Sequence, residues 1–119
     1  MNKKLIKAII TAVLLIYLII LLIGAFFINP VGESSPKGSD KVLHFVGFLI
    51  LEVLLLLTFI NYKLNNKYLA TFLVAIGIGL LIEFVQLYIP GRQFSLLDLA
   101  ADAGGIALAM VLTWSFSKL

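Results

Sequence analysis

The chain has 119 residues, of which 62% are hydrophobic and 13% charged, with a mean hydropathy of +1.15 and no cysteine. A soluble domain carries roughly 25% charged residues and at this size needs a polar exterior, so a soluble monomer is excluded. The missing cysteines exclude a disulfide scaffold and thiolate chemistry, and the net charge of +3 reads as a membrane topology signal rather than as a nucleic-acid footprint.

A helix needs about 20 apolar residues to cross a bilayer core of about 30 Å. The first run of that length is 8–28, which holds no charge and follows Lys3, Lys4 and Lys7. It starts like a signal peptide, but it is too long and no small-x-small cleavage site follows it, so it is expected to persist as a helix. With neither charges nor a small-residue stripe, it is expected at the periphery. The connection 29–41 contains Pro30, Gly32, Pro36 and Gly38, which is loop chemistry.

The second run is 42–60. His44 lies near its outer end, one turn after Asp40, and Glu52 lies about 15 Å in, near the midplane. Glu52 reads either as a proton-relay member or as a packing group. A short polar connection, 61–67, leads to the third run, 68–89, which Pro90 and Gly91 stop. Gly77 and Gly79 thin that run just below Glu83. Ser95 stands at an N-cap position with Asp98 three residues on, a capping-box variant that starts the fourth run, 96–116. There Ala101, Gly105 and Ala109 recur every four residues, a stripe that lets another helix approach closely. The expected fold is therefore all-α, one domain over 1–119 built as an integral membrane bundle of four transmembrane helices.

Lys3, Lys4, Lys7, Lys63, Lys67 and Lys118 fall on one side of such a bundle, and Lys37, Lys41 and Arg92 on the other. That bias expects both termini in the cytoplasm of a multi-pass protein of the cell membrane.

All nine Lys and Arg lie outside the four runs, whereas Glu52, Glu83, Asp98 and Asp102 lie inside them. Intramembrane carboxylates are costly, face the protein interior and mark function. Glu83 and Asp102 each lie about 9 Å from the outer ends of their helices, so the two are expected to meet and to share a proton. Gln86 and Asp98 stand about one turn nearer the outside, and Arg92 sits in the short loop between them. Asp40, Lys41, His44, Glu83, Gln86, Arg92, Ser95, Asp98 and Asp102 form the expected site. His44, Glu83, Asp98 and Asp102 are the candidates for proton transfer or catalysis. Asp40, Lys41, Gln86, Arg92 and Ser95 are the candidates for substrate binding. No cofactor is expected, and no metal, because one histidine is a thin ligand set.

The segments Asp40–Phe45 (DKVLHF), Glu83–Arg92 (EFVQLYIPGR) and Ser95–Gly105 (SLLDLAADAGG) together resemble the VanZ-like family. That resemblance covers nearly the whole chain and implies a small polytopic membrane protein. It implies polar motif positions at Asp40, Lys41, His44, Glu83, Gln86, Arg92 and Asp98. Asp102 stands where the family pattern expects asparagine, and Glu52 where it expects a small or apolar residue. The founding member is associated with teicoplanin resistance, so the resemblance implies a role in the bacterial cell envelope and in glycopeptide resistance.

The expected partner is a membrane lipid or a lipid-linked envelope component, with Arg92 and Lys41 gripping phosphate and His44 with a carboxylate moving protons. No nucleic acid is expected, and a homo-oligomer stays open. A membrane-embedded hydrolase or transferase on a lipid headgroup is an alternative, with Ser95, Asp98 or Glu83 as nucleophile. A small proton-coupled carrier with Glu52 as relay and a non-catalytic assembly subunit are the others.

Overall fold

The computed structural model describes residues 2–27, 39–90 and 94–118. Among them are four α-helices and no strand: α1 (Lys3–Phe27), α2 (Ser39–Asn61), α3 (Lys67–Gln86) and α4 (Leu96–Ser117). Each is long and apolar enough to cross a membrane. The bundle measures 47 × 26 × 23 Å, more than the roughly 30 Å of a bilayer core.

The helix ends follow local chemistry. α1 begins at Lys3, earlier than the apolar run, because the Asn2 side chain accepts the Lys4 N–H at 2.7 Å. α2 stops in a Schellman turn: Lys63 has a φ of 54°, its N–H bonds the Ile60 carbonyl, and the Leu64 N–H reaches back to Phe59. α3 ends at Gln86, three residues before the expected Ile89. There the N–H groups of Leu87, Tyr88 and Ile89 bond carbonyls three residues back, a tightened turn that Pro90 then closes.

The surface is the reverse of a soluble protein's. Large apolar residues such as Ile16, Ile20, Leu73, Leu81, Val111 and Phe116 are exposed, while Glu52, Thr71, Glu83 and Asp102 are fully buried. A lipid exterior makes that arrangement favourable.

α2 and α4 form the most extensive helix pair and run in the same direction. Their contact is close because of Gly105. A Cβ there would lie only 2.1 Å from the Phe45 carbonyl oxygen, so the two backbones touch where the small-residue stripe places glycine. α1 buries no residue and packs along the outside of α2 and α3. Besides a 3.0 Å hydrogen bond between the Thr11 and Tyr62 hydroxyls, two side-chain-to-carbonyl hydrogen bonds tie it there. The Tyr17 hydroxyl donates to the Gly47 carbonyl at 2.6 Å, and Gln86 Nε2 donates to the Ala25 carbonyl at 2.9 Å. At the end of the bundle holding the α2–α3 turn, Lys7, Lys67 and Lys118 lie over the rings of Tyr62, Tyr68 and Trp114 at 5.0–5.4 Å.

Candidate functional site

The opposite end of the bundle gathers the ionisable groups. α2 contributes Lys41 and His44, one turn apart on one face, α3 contributes Glu83, and α4 contributes Asp98 and Asp102, again one turn apart. His44 is the hinge of the cluster. Its Nδ1 lies 2.8 Å from Asp102 Oδ1, and its Nε2 lies 3.4 Å from Asp98 Oδ2. With Asp102 ionised, Nδ1–H donates to it and Nε2 is turned toward Asp98. Asp98 Oδ1 in turn meets Lys41 Nζ at 2.6 Å. The two ends of this line differ in exposure: the Lys41 side chain is 35% exposed, Asp98 and His44 are less exposed, and Asp102 is sealed.

Gly79 of α3 makes room for the innermost carboxylate. A Cβ at Gly79 would stand 3.0 Å from Asp102 Oδ2 and 3.5 Å from the Phe48 ring. Gly77, the other glycine of that run, faces nothing within 4 Å.

Ser95 shows how the start of α4 is joined to the cluster. Its hydroxyl accepts the Asp98 N–H at 3.1 Å, as the capping pattern requires. The reciprocal half of a capping box would have the Asp98 carboxylate accept the Ser95 N–H. Here Glu83 Oε1, from α3, accepts it instead at 3.0 Å. Asp98 is thereby free to reach Lys41 and His44. The charge of Glu83 also sits beside the positive end of α4.

His44, Glu83, Asp98, Asp102, Lys41 and Ser95 are thus brought together. Gln86 is not part of these contacts, since its amide donates to α1. The expected sharing of a proton between Glu83 and Asp102 gives way to two other bonds, one to the Ser95 N–H and one to His44. Arg92 and the side chain of Asp40 lie outside the described residues. One potential ligand atom each from His44, Glu83 and Asp98 lies within 4.8 Å of the other two, so the three could hold a metal ion.

Glu52 forms a separate polar island. The Thr71 hydroxyl donates to its Oε1 at 2.5 Å, and both residues are fully buried. Sequence reasoning did not select Thr71; a hydroxyl in an otherwise apolar run was the only signal for it. Phe48 lies one turn from His44 and one turn from Glu52 on the same face of α2, and it is buried. No hydrogen bond among the described residues bridges it.

No family model and no solved structure matches the chain. An uncharacterized protein of Schizosaccharomyces pombe is 31% identical over 106 residues, covering 89% of this chain. The chain spans 65% of the length of that curated relative.

Proposed function

We propose that the chain is a VanZ-like integral membrane protein, with both termini cytoplasmic, whose polar end faces outward and holds the anionic headgroup of a membrane lipid or lipid-linked envelope component. The observation that carries this reading is the line Lys41–Asp98–His44–Asp102, which leads from a half-exposed lysine to a sealed carboxylate at one end of a lipid-compatible bundle. Lys41 supplies positive charge at the mouth, and His44, oriented by Asp102, supplies an imidazole that can give or take a proton there. A relative in a yeast favours a ligand that yeast membranes also contain, hence a lipid phosphate over a component of the bacterial wall alone. A role in teicoplanin resistance rests on the VanZ-like resemblance and is secondary.

The His44–Asp102 couple favours a second reading, hydrolysis or transfer at that headgroup, because a carboxylate-oriented imidazole is a general acid–base device. The carrier reading, with Glu52 as a relay below Glu83 and Asp102, is secondary, because the hydrogen bond to the Glu52 carboxylate comes from Thr71 and not from the cluster.

Lipid mass spectrometry of the purified full chain tests the proposal. An anionic lipid enriched over the bulk extract, and lost with Lys41→Ala, is the expected result; a bulk-like profile removes the headgroup role. Cysteines introduced as Ser35→Cys and Asn65→Cys test the orientation in intact cells. Ser35→Cys should label from outside and Asn65→Cys should not.

A further inference from the structure

The Glu83 carboxylate presents a feature that headgroup binding through Lys41 does not use. Glu83 is fully buried and one of its oxygens accepts the Ser95 N–H, yet Oε2 has no hydrogen-bond partner among the described residues. A buried anionic oxygen in that state calls for a positive partner. It belongs to a group of three potential ligands, His44, Glu83 and Asp98, whose ligand atoms lie within 4.8 Å of one another.

The geometry points to a binding site for one divalent transition-metal cation, of the zinc or manganese class, held by His44 Nε2, Asp98 Oδ2 and a Glu83 carboxylate oxygen. With metal–nitrogen and metal–oxygen bonds of about 2.0–2.1 Å, two ligands at a tetrahedral angle stand about 3.3–3.4 Å apart. His44 Nε2 and Asp98 Oδ2 are 3.4 Å apart, too long for a good hydrogen bond and right for that bite. Asp102 supplies what such sites need behind the imidazole: it accepts a hydrogen bond from Nδ1–H and so points the Nε2 lone pair at the ion. The imidazole selects against calcium and magnesium, which favour all-oxygen shells. The single histidine, a thin ligand set by composition, is joined in the fold by two carboxylates and an orienting third.

Three protein ligands leave a coordination position open. Lys41, bonded to the other oxygen of Asp98, stands beside it. A phosphate oxygen would enter there, bridging the ion and Lys41. This explains how a cluster with three carboxylates can accept an anionic headgroup, and only this last step rests on the function proposed above.

The test uses the single histidine of the chain. The full-length protein is labelled with 15N-histidine, stripped with a chelator in detergent, and titrated with Zn2+, which binds such ligands at least as well as manganese does. The expected result is a shift of the His44 Nε2 resonance that saturates at one Zn2+ per chain and reverses with chelator. Asp102→Asn should weaken binding about 10–100-fold, the usual effect of losing an outer partner, and Asp98→Asn and Glu83→Gln at least as much. An Nε2 resonance unmoved at saturating Zn2+ overturns the site without recourse to any variant. So does wild-type affinity in both Asp98→Asn and Glu83→Gln. An enriched anionic lipid with no Zn2+ shift would keep the headgroup role and remove the cation; Zn2+ binding with a bulk-like lipid profile would do the reverse.

Discussion

Gly105→Ala is the smallest change that should reach the polar cluster through packing alone. The added Cβ would fall 2.1 Å from the Phe45 carbonyl oxygen and 3.0 Å from the Leu49 nitrogen, both backbone atoms of α2. Carbon–oxygen contacts between helices close to about 3.3 Å, so α2 and α4 must separate by about 1.2 Å. His44 precedes Phe45 on α2, and Asp102 lies three residues before Gly105 on α4. The same displacement would stretch the 2.8 Å His44–Asp102 bond to about 4 Å, beyond hydrogen bonding. Overpacking of this kind costs about 1–3 kcal/mol, before the loss of the charged hydrogen bond. Gly104→Ala is the control, since its Cβ would meet only the Phe45 ring, at 3.3 Å, and a ring can rotate aside. Thermal unfolding by circular dichroism in detergent, with the His44 Nδ1–H signal recorded alongside, reads both effects. Gly105→Ala should melt earlier and lose that signal, and Gly104→Ala should keep it. Equal melting of Gly105→Ala and wild type, with the His44 signal intact, would refute the packing argument.

Two further outcomes concern the polar ties away from the cluster. Thr71→Val strips the hydroxyl from buried Glu52 and should destabilise the bundle by about 1–3 kcal/mol; adding Glu52→Leu should recover part of that loss, and strictly additive effects in the double-mutant cycle would show that the pair is not coupled. Tyr17→Phe combined with Gln86→Leu removes two of the three hydrogen bonds that hold α1 among the described residues, leaving the one between the Thr11 and Tyr62 hydroxyls. It should raise amide exchange in α1 while leaving the His44 spectrum unchanged, and a perturbed His44 would mean that α1 shapes the site.

The helices were legible because each is a predominantly apolar run of 19–22 residues without Lys, Arg or Pro, and helices satisfy their own backbone in lipid. Their convergence was legible because counting at about 1.5 Å per residue gives height along an axis. Height does not give direction around the axis, and the pairings were missed for that reason. Glu83 and Asp102 were expected to bond to each other on height alone; in the fold each faces a different partner. Gln86, three residues after Glu83, is rotated from it by about 60°, enough to turn it from the cluster to α1. Asp98 and Asp102, four apart, differ by only about 40° and stay on one face. The Thr71–Glu52 bond was hidden for the same reason, since either helix could have turned its polar residue elsewhere.

The start of α4 decides which carboxylate serves the site. Had Asp98 closed its own capping box, its charge would point back at the Ser95 N–H and His44 would face one carboxylate fewer. Glu83 occupies that N–H from the neighbouring helix, so ending α3 and starting α4 also sets the position of Asp98. Two substitutions separate the halves of this arrangement. Ser95→Ala removes the hydroxyl cap but keeps the backbone N–H for Glu83; it should cost about 1 kcal/mol of stability and leave the His44 spectrum and the Lys41–Asp98 pair in place. Glu83→Ala vacates the N–H, and Asp98 is the nearest carboxylate that can turn back to it, which completes the local capping box and withdraws Asp98 from His44 and Lys41. In that variant the helix start should survive while the His44 Nε2 resonance moves. Adding Asp98→Asn to Glu83→Ala should then shift the Nε2 resonance no further, because Asp98 has already left. A further shift on adding Asp98→Asn would show that Asp98 holds its place without Glu83 and that the hand-over does not operate.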